Sequence, residues 1–274
     1  MINRDAGPIV KFCIYVSLAL FLCIAPSCTK APEQPAAKTS TPQASEPGIP
    51  PTAPEKTADS GAPAVADQQK AAIHDSPLVP IAIKLPKPLF IGTPQNIVLE
   101  NLEKPLGKPR PPFLAPAGTS NVALGKRIAS SDNSPIIGET ECITDGNKDS
   151  SDGNYVQLGP GVQHITIDLG TRCEIYAIVV WHLHKQPVVF FDVIVQSADD
   201  ANFIENAHTL FNNDIDNSAG MGIGKNMHYT ETNEGKLIDA KGIKARYVRL
   251  YSNGYSLEES NYYTEVEVYG RTIK

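Results

Sequence analysis

Gly161–Gly170, GVQHITIDLG, sets the period for everything around it. Ile165, Ile167 and Leu169 alternate with Thr166 and Asp168, the two-residue repeat of a strand with one buried face. Downstream, Glu174–His184 (EIYAIVVWHLH) is apolar on both faces, as a covered or central strand is. Val188–Ser197 (VVFFDVIVQS) sets Val189, Phe191, Val193 and Val195 on one side. Lys244–Gly254 (KARYVRLYSNG) and Tyr263–Arg271 (YTEVEVYGR) follow; the latter turns Val266 and Val268 inward and Glu265, Glu267 and Tyr269 the other way. LGPG, DLGT, SADD, NEGK and SNG supply turn chemistry between these runs, and no segment has a long helical period. The expectation is an all-β sandwich or jelly roll of roughly 150 residues, a size that can bury an adequate core.

The chain upstream is different in kind. Its 274 residues carry a net charge of −6 with no basic stripe, which argues against nucleic-acid binding. Arg4 and Lys11 flank an apolar run, Phe12–Ala25. About 14 apolar residues are too few to cross a bilayer, which takes roughly 20, but they suit a signal-peptide core. Ala25-Pro26-Ser27-Cys28 resembles a bacterial lipobox, which makes Cys28 the expected lipidation site; a plain secretory signal is the alternative. Either reading exports the chain, to a membrane-anchored place in the cell envelope if Cys28 is used. Residues 29–76 are rich in Pro, Ala, Ser and Thr with almost no bulky apolar side chain, the composition of a disordered spacer. Residues 77–117 add Leu78, Ile81, Ile83, Leu85, Leu89, Phe90 and Ile91 among many prolines. That pattern predicts an extended lead lying against the domain of residues 118–274, with a second small domain as the alternative. In an oxidising compartment Cys142 and Cys173 can pair or pack as separate thiols.

Six segments occur in the order of one family: NVALGKRIASS (121–131), ITDGN (143–147), the strand ending in DLG (168–170), IYAIVVW (175–181), ARYVRLY (245–251) and TEVEVYG (264–270). From about Ser120 to Arg271 the chain resembles the discoidin, or coagulation-factor type C, domain. The resemblance implies a galactose-binding-like jelly roll of about eight strands. It also implies binding rather than catalysis, with sugars, phospholipid head groups or proteins as partners. No nucleophile elbow, HExxH or other catalytic constellation stands out, so an enzyme is not expected.

Glu141–Leu158 (ECITDGNKDSSDGNYVQL) is dense in oxygen donors. An EF-hand needs glycine sixth and glutamate twelfth after its first aspartate, and those places hold Ser150 and Val156. The family resemblance implies another geometry, a DGN loop wrapped around one structural calcium and closed by the first glutamate of the last strand. On matching positions, Asp145 and Glu265 become side-chain ligands. Backbone oxygens of Cys142, Asn147 and Thr264 become additional ligands, and Ser150 or Ser151 a further one. The alternative is a polar loop held by Asx turns, with Glu265 exposed on an edge strand.

Ligand contacts are expected on loops at one end of the sandwich. His182, His184 and Lys185, in HLHKQP, stand where sugar-binding relatives carry arginines, which argues against galactose or fucose specificity. His182 and His184 share a strand face, but a zinc site needs a third ligand that the sequence does not position. Trp181 falls on the opposite face and is read as core. In the long, glycine-rich stretch Phe211–Lys236, Asn213, Asp214, Asp216 and Asn217 could bond hydroxyls or a second cation, and Tyr229 could stack. GMGIGK within it lacks phosphate-loop spacing. Tyr155 and Tyr255 are further loop aromatics. The functional expectation is a non-catalytic glycan-binding module with structural calcium; the alternative is an adaptor that binds a protein or the cell envelope through the same loops.

Overall fold

The segments 163–181 and 236–252 become the two central strands of the large sheet in the computed structural model, which describes residues 76–90, 97–151 and 153–273. The predicted signal with Cys28, the linker as far as residue 75, and Asp152 lie outside the described residues. Eleven strands are present among these residues: β1 (Leu78–Pro80), β2 (Leu114–Pro116), β3 (Ser120–Asn121), β4 (Arg127–Ser130), β5 (Val156–Pro160), β6 (Gln163–Trp181), β7 (Ile194–Ala198), β8 (His208–Asn212), β9 (Lys236–Ser252), β10 (Ser260–Tyr263) and β11 (Glu265–Thr272). A 3₁₀ turn, Thr140–Thr144, precedes the DGN loop. A seven-stranded sheet runs β3-β11-β6-β9-β7-β8, with β4 also paired to β6. β5 pairs with β10, and β1 with β2; every ladder is antiparallel. The class is therefore all-β, with antiparallel sheets packed as a sandwich.

The main core lies between the large sheet and the β5–β10 pair. Ile165, Ile167, Val248, Leu250, Val266 and Val268 meet Val156, Leu158, Tyr262 and Tyr263 there, all buried. Burying one such aliphatic side chain stabilises the fold by about 1.5–3 kcal/mol, so this layer dominates the stability.

Local chemistry altered two expected elements. DLGT does not end a strand. Gly170, at φ 80°, sits in a bulge between Asp168 and Cys173, opposite Arg246, and a second slip at Lys241 and Gly242, φ 54° and 76°, lies opposite Tyr176. The two predicted runs are one 19-residue strand, β6. Arg246 on β9 grips Asp168 beside the bulge through two bonds of 2.8 and 2.9 Å. VVFFDVIVQS, in contrast, is a strand only from Ile194 onward. Asp192 adopts φ 50°, which resets the alternation, so Val188 and Phe190 enter the core with Val193 and Val195 while Phe191 is half-buried.

The outer face of β6 and β11 is covered as well. Ala177, Val179, Trp181 and Tyr269 pack beneath Ile81, Ile83 and Phe113 of the proline-rich lead. Beyond these contacts, the lead is fastened to the loop before β9. The Arg110 guanidinium donates to the carbonyls of Glu234 and Gly235 at 2.9 and 2.8 Å, and Asn233 Nδ2 donates to the Pro86 carbonyl at 3.1 Å. Cys142 and Cys173 do not pair: both are free thiols, Cys173 buried in the main core and Cys142 at its margin.

Candidate functional site

The DGN loop meets β11 at Glu265. Gly146 donates its amide to both Glu265 oxygens, at 3.2 and 3.1 Å, across 119 positions of sequence. Glu265 is fully buried, and burial pushes its carboxyl up to about 9; the Gly146 bond and the Lys148 ammonium act against that, and the Glu267 and Asp145 carboxylates act with it. This excludes the alternative of an exposed edge-strand glutamate. Its neighbour in the pattern, Glu267, takes the Lys148 ammonium at 2.7 Å and the Tyr269 hydroxyl at 2.8 Å. Lys148 Nζ also reaches the Gly146 carbonyl at 3.3 Å and stands 5.4 Å from the Trp181 ring centroid. Removing one partner of such a buried pair costs about 3–5 kcal/mol, because the other charge is left alone.

The rest of the loop is self-templated. Asp145 Oδ1 accepts from the Asn147 amide, Asn147 Oδ1 from the Asp149 amide and Asp149 Oδ1 from the Ser151 amide, at 2.7, 3.1 and 3.1 Å. These are Asx turns in series. Ser150 is buried and faces inward, its Oγ 3.0 Å from Thr264 Oγ1. The donor set around Glu265 is therefore oxygen-rich. It holds one buried carboxylate served by a single backbone amide, with its nearest ammonium committed to Glu267. A hard divalent cation fits that chemistry.

His184 serves this loop, and His182 the core beside it. His184 is 1 % exposed; its amide donates to Ser150 Oγ at 3.2 Å and its Nε2 meets the Lys148 carbonyl at 2.9 Å. His182 is fully buried, with Nδ1 2.6 Å from Glu231 Oε1 and its ring stacked on Phe190 at 4.4 Å. Their expected contact with ligand is corrected: both rings are buried, His184 against the Lys148 carbonyl and His182 against Phe190 and Tyr263. The expected contact of Asn213, Asp214 and Tyr229 with a glycan is likewise corrected. All three are buried, Asn213 beneath Val193, Asp214 under the amides of Ser218 and Ala219, and Tyr229 in the core against Phe211.

Of the expected ligand residues, Lys185, Tyr155 and Tyr255 remain at the surface, half-buried, and the fold brings them together. Lys185 Nζ lies 5.0 Å from the Tyr155 ring centroid. Tyr155 and Tyr255 each contact Tyr262, at 5.6 and 5.5 Å between centroids, and Tyr255 stacks on Phe190 at 4.9 Å. The Tyr262 hydroxyl donates to Glu258, and burial, with that carboxylate, pushes the Tyr262 phenol up. Next to this cluster a shallow depression is bordered by Phe191, Asn253, Tyr255, Leu257 and Glu258, with Leu257 61 % exposed. Tyr262, Glu258 and Leu257 were not singled out from sequence. The signal was present in GYSLEESNYY, where aromatics and acids interleave on either side of a turn, but nothing local shows that Tyr155 folds onto it.

A second cleft, of about 360 Å³, separates residues 103–108 of the lead from residues 229–237. Across it Lys236 pairs with Glu103, and the Glu234 carboxylate accepts the Arg110 backbone amide at 3.1 Å.

No protein-family model matches the sequence, and neither does any curated protein sequence. Solved structures do show similarity. A fucose-binding module from Streptococcus pneumoniae is 20 % identical, with 57 % of this chain and 99 % of that one covered and a TM-score of 0.40. A chitosan-binding module from a Paenibacillus chitosanase/glucanase is 19 % identical over 56 % of this chain and 99 % of its own, with a TM-score of 0.41. A family 89 glycoside hydrolase from Clostridium perfringens is 16 % identical over 56 % of this chain, with a TM-score of 0.41, and the match spans 15 % of the hydrolase.

Proposed function

We propose that this chain is a non-catalytic module that binds glycan on a shallow platform built from Tyr155, Tyr255 and Lys185, with Glu258 at its rim. The observation that carries the reading is the surface cluster itself: two half-buried tyrosines joined through Tyr262 and flanked by a lysine ammonium. Aromatic rings present a rigid apolar face of the kind that packs on a pyranose, while lysine and glutamate bond hydroxyls at the edges. Structural calcium belongs to the same proposal, with Asp145 and Glu265 as side-chain ligands and the carbonyls of Cys142, Asn147 and Thr264 completing the set. The ion would supply positive charge to a buried carboxylate and hold the DGN loop. Export with lipidation at Cys28 would place the module on the bacterial cell envelope, held to a membrane.

A glycan array run with and without chelator tests the platform. Saturable binding that falls at least about tenfold in Tyr155→Ala or Tyr255→Ala, a loss of about 1.4 kcal/mol, supports the reading. A blank array with retained capture of an envelope protein replaces glycan with the adaptor alternative. Cys28→Ser tests the anchor: the variant should leave the membrane fraction, and an unchanged partition overturns lipidation there.

A further inference from the structure

Three carboxylates meet beside Phe191, where Asp192 follows it in the chain. Asp192, Asp214 and Asp216 each bring one oxygen within 4.8 Å of the other two. Asp192 and Asp214 are 6 % and 0 % exposed, and Asp216 is exposed. Like charges at such separations, partly out of water, oppose one another's ionisation. Burial, the Asp192 charge and the bond with Asp216 push the Asp214 carboxyl up, against the amides of Ala219 and Ser218.

The hydrogen-bond donors on this cluster are neutral. The Ser218 amide serves Asp214 Oδ1 and Asp216 Oδ1, each at 3.0 Å, and the Ala219 amide serves Asp214 Oδ2 at 3.0 Å. Asp192 Oδ2 accepts from Ser218 Oγ at 2.8 Å and from Asn253 Nδ2 at 2.7 Å. Among the described residues, none of the three carboxylates is ion-paired with a lysine or arginine.

A separate observation points to a ligand. Two buried side chains next to the cluster hold polar atoms with no partner. His228 is 6 % exposed, its Nδ1 is unbonded, and its imidazole lies in the field of Asp192 and Asp216. Asn213 is fully buried; its Oδ1 accepts from the Val193 amide at 2.7 Å, adjacent to Asp192, and its Nδ2 is unbonded. A buried polar atom without a partner costs about 1–3 kcal/mol, so two of them beside three uncompensated acids require an explanation.

We infer that Asp192, Asp214 and Asp216 form a second divalent-cation site of the calcium type, with His228 and Asn213 bonding the ion's water ligands. One ion removes the mutual repulsion, and its hydration shell gives the two orphaned atoms partners. The all-oxygen carboxylate set and the alternate spacing Asp214-x-Asp216-x-Ser218 suit a large cation of flexible coordination better than a tetrahedral metal. The position has a consequence for the platform. Asp192 anchors Asn253, and Phe191 exchanges backbone bonds with Asn253 and Gly254 at 3.0 and 3.1 Å, directly before Tyr255. The ion therefore braces the turn that carries a platform tyrosine.

The test is calorimetric titration of calcium into the chelator-treated full chain, for wild type, Asp145→Ala, Asp216→Asn and the double variant. Asp145 and Asp216 are exposed, so both substitutions leave the core untouched, and thermal midpoints in chelator check this. Asp145→Ala should retain one binding event, and adding Asp216→Asn should weaken that event at least about tenfold. If Asp145→Ala abolishes all binding, the second site is overturned while the DGN site stands. Equal binding in Asp145→Ala with and without Asp216→Asn also overturns it, and no binding by the wild type overturns both sites.

Discussion

Glu265 illustrates how a covered strand face changes the chemistry of one side chain. Its carboxyl titrates at about 9 when folded against an ordinary 4.5, so between those values the folded chain holds a proton that the unfolded chain has released. Stability from this group is full below about pH 4.5 and is lost as pH rises through about 9. In chelator, the wild type should lose stability from pH 5 to 9, by at most roughly 6 kcal/mol at about 1.4 kcal/mol per unit. Glu265→Gln, which still accepts the Gly146 amide, should flatten that slope in urea denaturation series. In an Asp216→Asn background, which weakens the second site, calcium should raise the thermal midpoint, and adding Glu265→Gln should largely remove that rise; an undiminished rise removes Glu265 from the ligand set. His184 makes the complementary case. Because its ring is buried under the DGN loop, His184→Ala should destabilise by about 1–3 kcal/mol, through the Lys148 carbonyl it leaves unbonded. Glycan affinity measured well below the midpoint should stay near wild type. A loss of affinity without a loss of stability would return His184 to the platform.

Strands, turns and covering loops respond to substitution according to what lies over them. Gly235, in the loop before β9, has φ 63°, and a Cβ there would meet the Trp181 indole at 2.7 Å. Gly235→Ala should therefore cost more than about 2 kcal/mol, well above an ordinary loop substitution, read as a lowered urea midpoint. Much at this scale was visible beforehand. Alternation marked the first half of β6 and β11 because residues two apart share a face whatever the tertiary context. The DLGT bulge was misread as a turn because both devices use a glycine at positive φ, and only the partner strand shows which one is present. HxH likewise put two histidines on one face without showing that Tyr263 would cover one and the 148–150 loop the other. Lys148 could not be paired with Glu267 from spacing, since 119 positions separate them. The DGN loop and Glu265 were brought together by family order rather than by any local pattern.

For the molecule as a whole, the lead changes what counts as the folded unit. Ile81, Ile83 and Phe113 seal one face of the large sheet, so a chain beginning at residue 118 should expose Trp181 and Tyr269. Trp181 is the only tryptophan, which makes its emission a direct reading of that cover. The shortened chain should show red-shifted, quencher-accessible fluorescence and a lower thermal midpoint than one beginning at residue 76. Matching spectra would mean that the sandwich holds its own face closed. The β1–β2 pairing carries a mechanical implication too. Its register sets Leu78 against Pro116 and Pro80 against Leu114, so residues 81–113 form a closed excursion whose two ends meet. A pull applied ahead of Leu78 enters the sandwich through Pro116, and the cover over Trp181 bears no tension while the clasp holds. The load meets the clasp end-on and opens it one bond at a time. Beyond that force the load passes to the lead's bonds with Asn233, His228 and the Glu234 and Gly235 carbonyls. As these yield in turn, up to about 33 residues extend, roughly 110 Å of slack, and the outer face is bared. A tug on this chain is thus converted first into length and exposure, and only later into unfolding.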